Sequence, residues 1–177
     1  MSPLDIINKY CTNEKQRHIL LVHSRAVADK ALEIARRHPE WLVDELFIEE
    51  ASLLHDIGIV SVNAPVIECH GIEPYIKHGV LGAEMLRNEG LERHALVCER
   101  HTGTGLTMEQ IVRQQLPLPL RDMQPVSMEE QIICFADKFF SKTRLDIEKT
   151  VEQARHSLEK FGEEGLEKFD VWCDMFL

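Results

Sequence analysis

Apolar side chains recur every three or four residues along most of the chain, which is the spacing of an amphipathic α-helix. The clearest example is the segment 13–37, whose apolar face carries His23 among aliphatic side chains, including Leu20, Val27 and Ile34. No segment shows the sustained apolar and polar alternation of a half-buried β-strand. The pattern therefore predicts an all-α fold, a single-domain helical bundle.

Capping residues, prolines and glycines mark the predicted helix ends. Asn13 is the predicted N-cap of the first long helix. A second helix is predicted to begin after Asp44 and to end near Gly58, because a residue without a Cβ suits a left-handed C-terminal position. The segment SMEE (127–130) matches a capping box and predicts the start of a long late helix.

The remaining segments divide into shorter helices and loops. Helices are predicted over residues 74–88 and 91–100, and one or two more in the C-terminal tail. Residues 59–73 have no clean period and are predicted to be irregular. The proline-containing stretch 116–126 is predicted to be a loop that serves as a candidate lid.

Composition limits the classes of partner. The chain of 177 residues has a net charge of −10, which repels polyanions and disfavours bulk nucleic acid as a partner. No apolar run approaches the ~20 residues of a membrane-spanning helix, and no signal-peptide pattern is present at the N-terminus, so we expect a cytoplasmic protein without a membrane partner. Five scattered cysteines without a CxxC pair are expected to be reduced thiols.

Four residues of types that bind metals are predicted to point inward. His23 lies on an apolar helix face, the pair His55 and Asp56 closes the next helix, and Asp137 lies on the apolar face of the late helix. A His-Asp pair alone is weak evidence, and an unpaired buried carboxylate would be costly. Together, however, these residues are the imidazole and carboxylate donors of a transition-metal site.

This order of a His, a His-Asp pair and a distant Asp resembles the HD superfamily, whose members bind a divalent metal with all four residues. The resemblance extends to three segments, LLHDIG (53–58), HGVLGAEML (78–86) and ICFADK (133–138). It implies one HD domain over residues 1–177, with a motif-bearing core at about 20–145 and a helical tail at about 146–177. It also implies metal binding by His23, His55, Asp56 and Asp137.

Members of this superfamily with two metals have further histidines between the His-Asp pair and the final Asp. His78 and His101 stand at about these places, and Asp56 would then bridge two ions; His70 is the rival of His78. The expected cofactor is one or two divalent transition metal ions, and the donor set suits Fe, Mn, Ni, Co or Zn.

The resemblance implies a phosphohydrolase that attacks a small phosphate ester with metal-activated water. A nucleotide or a related phosphomonoester or diester is the expected substrate and partner. Cyclic dinucleotides are disfavoured, because Ile59 and Thr102 replace a Lys and a second His of that branch. The catalytic residues are expected to be Asp56 and Lys142, and the substrate-binding residues Lys138, Lys142, Arg144, Thr102 and Gly103.

Two other functions fit the same residues. HD-type diiron oxygenases use the same order of ligands, and a metal-holding domain could sense a ligand without turnover. A lysine or arginine of the segment 138–144 directed into the pocket would favour phosphate chemistry, whereas O2 consumption with an organic substrate would favour the oxygenase.

Overall fold

The computed structural model describes residues 2–177, and its architecture is all-α, as predicted. Residues 2–177 contain a single small sheet, in which β1 (Asn63–Ala64) pairs with β2 (Cys69–His70) in antiparallel register. This sheet lies within residues 59–73, which were predicted to be irregular. The helices are α1 (Pro3–Tyr10), α2 (Glu14–Arg37), α3 (Glu45–Leu54), α4 (His78–Asn88), α5 (Glu92–Arg100), α6 (Met108–Arg113), α7 (Met128–Asp137), α8 (Val151–Leu158) and α9 (Glu163–Phe176).

Two of the predicted helix starts have the expected caps. The Asn13 side chain accepts hydrogen bonds from the first-turn N–H groups of α2, and Ser127 and Glu130 form a capping box at the start of α7. The prediction that α7 is long was wrong, because the helix ends at Asp137. The next three N–H groups, of residues 138–140, donate to carbonyls three residues back instead of four, and this tightening ends the helix.

Gly58 has a different role from the predicted one. Helix α3 ends at Leu54, and Gly58 lies in a 3₁₀ turn (Ile57–Ser61) without a positive φ. A Cβ at this position would lie 2.0 Å from the carbonyl oxygen of His78 and 2.4 Å from the backbone nitrogen of Gly82. The glycine is therefore required because α4 packs directly against this turn.

Replacing Gly58 by alanine is expected to lower the free energy of unfolding by about 3 kcal/mol or more, because backbone atoms of α4 would have to move. Gly90→Ala is the matched control: Gly90 has φ +76° but nothing within 4 Å of its Cβ position. That control should cost about 1 kcal/mol. Denaturant unfolding measures both, and an equal or smaller effect at Gly58 would contradict the close approach.

The buried apolar residues form two main clusters. One is built mainly from α2, α3, α7, α8 and α9, and the aromatic side chains of Phe169, Trp172 and Phe176 bring the C-terminal tail into it. The other joins α1, the end of α3, the turn after it, α4 and α5. Helices α2, α3 and α5 contribute to both clusters, so their relative positions are held from two sides.

The proline-containing stretch 116–126 is a loop, as predicted, and it is attached to the body of the protein. Met123 is buried and forms two backbone hydrogen bonds of 2.8 Å with Leu106, and Arg121 pairs with Glu99 at 2.9 Å. Its action as a lid stays a prediction. Among residues 2–177, no helix combines the length and apolarity needed to cross a bilayer.

Candidate metal centre

The six predicted metal ligands come together at the ends of four helices and the middle of a fifth. His23 lies within α2, His55 and Asp56 follow α3, and the others lie at the start of α4 (His78), just after α5 (His101) and at the end of α7 (Asp137). His55 and Asp56 are 0% exposed. The rival His70 is exposed in β2 and lies outside this cluster.

The ligand atoms form two groups that share Asp56. One group contains His23, His55, Asp56 and Asp137, and the other contains Asp56, His78 and His101. Within each group the candidate ligand atoms lie within 4.8 Å of one another. Either group could hold a divalent metal ion, and the carboxylate of Asp56, which has two oxygens, lies between the two groups.

Three of the histidines have a defined tautomer. Nδ1 of His55, His78 and His101 lies 2.6, 2.7 and 2.7 Å from the carbonyl oxygen of the residue three positions earlier. A carbonyl oxygen can only accept, so each Nδ1 carries the hydrogen and donates it. At His55 and His101 the accepting carbonyl belongs to the last helical turn, where carbonyls have no intrahelical partner. At His78 and His101, Nε2 therefore has its lone pair free to bind a metal, whereas at His55 the lone pair of Nε2 becomes free once the ring loses its second proton.

The packing of these atoms fits a metal cation. Nε2 of His78 and Nε2 of His101 lie 3.0 Å apart, although both carry lone pairs in this tautomer. Oδ1 of Asp56 and Nδ1 of His23 are buried without a hydrogen-bond partner among the described residues. Buried polar atoms in this state are costly unless a cation or another partner satisfies them. The donor set thus fits a divalent metal centre.

Two lysines provide positive charge beside the carboxylates. The ammonium of Lys142 forms an ion pair with Oδ2 of Asp56 at 2.6 Å and donates to the hydroxyl of Tyr75 at 3.1 Å. Lys138 donates to Oδ2 of Asp137 and to the carbonyl oxygen of His101, both at 2.8 Å. Because Lys138 binds Oδ2, the other oxygen of Asp137, Oδ1, faces His23. Lys138 also links the segment that carries His101 to the segment that carries Asp137.

The carboxylates stay ionised despite their burial. Burial alone would raise the pKa of Asp56, but the charges of His55 and Lys142 outweigh it and hold that pKa well below its usual range. Burial would also raise the pKa of Asp137, but Lys138 and the neighbouring histidines outweigh it and keep that pKa low. The centre therefore presents two carboxylate charges at neutral pH.

A cavity of about 690 Å³ opens beside the centre. Four of the five predicted substrate-binding residues line it: Thr102, Gly103, Lys138 and Lys142. The fifth, Arg144, is exposed at the end of the turn formed by residues 141–144 and lies outside the lining. Tyr75, Lys149 and Lys160 also line the cavity and were not predicted, because they lie outside the recognised motifs and carry no periodic signal.

Metal uptake is expected to depend on pH through His55. Burial lowers the pKa of His55, but the negative charges of Asp56 and Asp137 outweigh it and raise the pKa to about 10 in the metal-free protein. Burial instead lowers the pKa of His78 to about 3 and also lowers the pKa of His101. At pH 7 the first group must therefore lose a proton to bind metal, whereas the second group need not.

We expect about one proton to be released per metal bound to the first group at pH 7, and its affinity to fall about tenfold per pH unit below the pKa of His55. Calorimetric titration in buffers of different ionisation enthalpy measures this release. His70→Ala is the control, since His70 is exposed and outside the cluster. Metal content that stays constant down to pH ~4, well below the reference pKa of histidine, would contradict a site dominated by histidine.

Comparison with known proteins gives a consistent result. The HD domain family matches residues 20–142. An uncharacterized protein of Methanocaldococcus jannaschii is 35% identical over 159 residues, which are 89% of this chain and 85% of that protein. No solved structure matches the chain significantly.

Two further relatives bear the name tRNA (cytidine(56)-2'-O)-methyltransferase. The protein of Thermoplasma volcanium is 31% identical over 86% of this chain, and that of Picrophilus torridus is 31% identical over 75% of it. The chain spans only 40% and 35% of their respective lengths. The family match covers more than half of the chain and includes all six clustered ligands. The chain therefore belongs to the HD domain family.

Proposed function

We propose that the protein is a metal-dependent phosphohydrolase that acts on a small phosphate ester, such as a nucleotide or a related phosphomonoester or diester. The observation that carries the proposal is the shared position of Asp56 between two groups of ligands, next to a cavity that Lys138 and Lys142 line. Neighbouring cations and a pair of metal sites suit the negative charge of a phosphoryl group.

A divalent metal, when bound, supplies Lewis acidity toward a phosphoryl oxygen and lowers the pKa of a coordinated water toward neutrality. The chain's own residues supply the rest. Lys142 is the cation placed to meet a phosphate oxygen, because its ammonium lies at the boundary between Asp56 and the cavity. Lys138 uses two of its three donors on Asp137 and His101, which leaves one for substrate.

Thr102 and Gly103 bring backbone to the cavity wall directly after His101. Gly103 has φ +58°, and a Cβ there would lie 3.2 Å from the ring of Phe161, so a larger residue would crowd this wall. We assign this turn to substrate contact. The chain matches less than half of each of the two relatives named as methyltransferases, so their names do not support a function for this chain.

The test is phosphate release from a panel of nucleotides, sugar phosphates and an aryl phosphate, with protein loaded with Mn, Co, Ni, Fe or Zn. We expect turnover with at least one substrate and metal. The same donor set suits an HD-type diiron oxygenase. If no metal supports phosphate release while the reduced diiron protein consumes O2 with an organic substrate, the oxygenase is the correct assignment. Ligand binding without either reaction would favour a sensor.

Lys142→Met is expected to reduce kcat/KM for phosphate release by about 100-fold to 1,000-fold with metal content retained, because it removes a partly buried cation at the reacting group. Arg144→Gln is the matched control. It removes a cation two residues away that is exposed and outside the cavity, and we expect little change. Equal effects of the two substitutions would contradict the role of Lys142.

A further inference from the structure

The C-terminal segment contributes two lysines to the cavity wall, and both lie beyond the part of the chain that matches the HD domain. Lys149 follows the turns after α7, where its N–H donates to the carbonyl oxygen of Phe139 at 2.8 Å. Lys160 lies in the 3₁₀ turn between α8 and α9. These two residues, Lys149 and Lys160, are the outer lysines of the cavity.

The outer lysines differ from Lys138 and Lys142 in their partners. The ammonium groups of the latter two lie against Asp137 and Asp56. The amine of Lys149 donates a hydrogen bond to the carbonyl oxygen of Lys138 at 3.5 Å, and that of Lys160 lies 5.1 Å from the centre of the Phe161 ring. Within residues 2–177, neither outer lysine forms an ion pair with a carboxylate.

The local charge of the cavity is opposite to that of the whole protein. The chain carries a net charge of −10, yet four lysines and a single acidic residue, Asp137, line the cavity over the described residues. Lys149 is partly buried, and this burial lowers its pKa. Holding a charged amine there has a desolvation cost that a bound anion would offset.

We propose that Lys149 and Lys160 form a second anion-binding subsite, so that the substrate carries another anionic group besides the phosphate ester at the metal centre. A carboxylate or a second phosphate has the required chemistry. The lining also contains the apolar side chains of Phe140, Leu158 and Phe161, which suit the carbon skeleton joining two such groups. This inference rests on the proposed phosphohydrolase function, since that function places the first phosphate.

Matched pairs of ligands test the subsite. Calorimetry on the metal-loaded protein compares alkylphosphonates with ω-carboxyalkylphosphonates of the same length, over two to five methylene groups. We expect the added carboxylate to tighten binding at least tenfold at one chain length. This advantage of the carboxylate should become smaller in Lys149→Gln and in Lys160→Gln, and it should fall to within twofold in the Lys149→Gln/Lys160→Gln variant. The control variant Lys9→Gln/Lys15→Gln removes two exposed charges on α1 and α2 and should retain the advantage.

The possible outcomes distinguish a failure of the second subsite from a failure of the phosphohydrolase proposal. If alkylphosphonates bind but the carboxylate brings no advantage at any length, or if the advantage survives in the Lys149→Gln/Lys160→Gln variant, the second subsite is wrong and the phosphohydrolase stands. If the advantage depends on these lysines but no phosphate ester is cleaved, the subsite stands and the reaction class is wrong. If neither series binds, both proposals fail.

Discussion

Replacing Asp56 by asparagine is expected to empty both groups of ligands and to reduce phosphate release to the detection limit. Asp56 is fully buried and is the one residue common to both groups, with Oδ2 facing His23 and His55 and Oδ1 facing His78 and His101. Asparagine keeps the shape but loses the charge and one oxygen donor. The substitution therefore acts on metal binding more than on packing.

Metal analysis of the purified variant is the primary measurement, with turnover as the second. Metal bound to the native state adds to its stability, so the variant should also lose the rise in thermal stability that added metal gives the original protein. Asp29→Asn is the control, because Asp29 is exposed on the same helix that carries His23. A variant that keeps its metal and nearly full turnover would show that Asp56 is not the shared ligand.

His78→Ala and His101→Ala are expected to leave about one metal per chain and to lower turnover by at least about 100-fold. These histidines belong only to the second group, so His23, His55 and Asp137 should still hold the first ion. Two-metal hydrolysis needs both ions to stabilise the attacking and leaving oxygens, which is why losing one should cost most of the rate.

His70→Ala is the matched control for this pair, since His70 is exposed and lies in the sequence near His78 but outside the cluster. Metal counting on the three variants separates the alternatives. If His78→Ala and His101→Ala both keep the original metal content and activity, the centre holds a single ion and the two histidines have another role.

The residues of the candidate metal centre could be selected from the sequence because several of them have a local signal. His23 lies on a periodic apolar face, where a polar side chain is conspicuous, and the pair His55 and Asp56 lies where a helix ends. Asp137 follows a clear capping box by one helix length. Six residues chosen on these signals and on the family resemblance lie together in the structure.

Interactions between distant segments could not be predicted in the same way. Gly58 was recognised as an unusual position, but only the structure shows that the reason is close contact with α4 rather than its own φ. Arg144 was grouped with Lys138 and Lys142 as a substrate-binding residue, but the structure places it beyond the end of α7 and outside the cavity lining. Lys149 and Lys160 reach the cavity through loop and turn geometry that leaves no periodic pattern.

The carbonyl contacts of His55, His78 and His101 have a consequence for how the centre is loaded. Folding alone fixes the orientation of these three rings, because each Nδ1 is held by backbone three residues earlier. Rotational entropy of the three imidazoles is therefore lost during folding and not when an ion arrives. A preorganised set of donors discriminates among ions by their coordination preferences, since the protein has little rearrangement left with which to accommodate a poor fit.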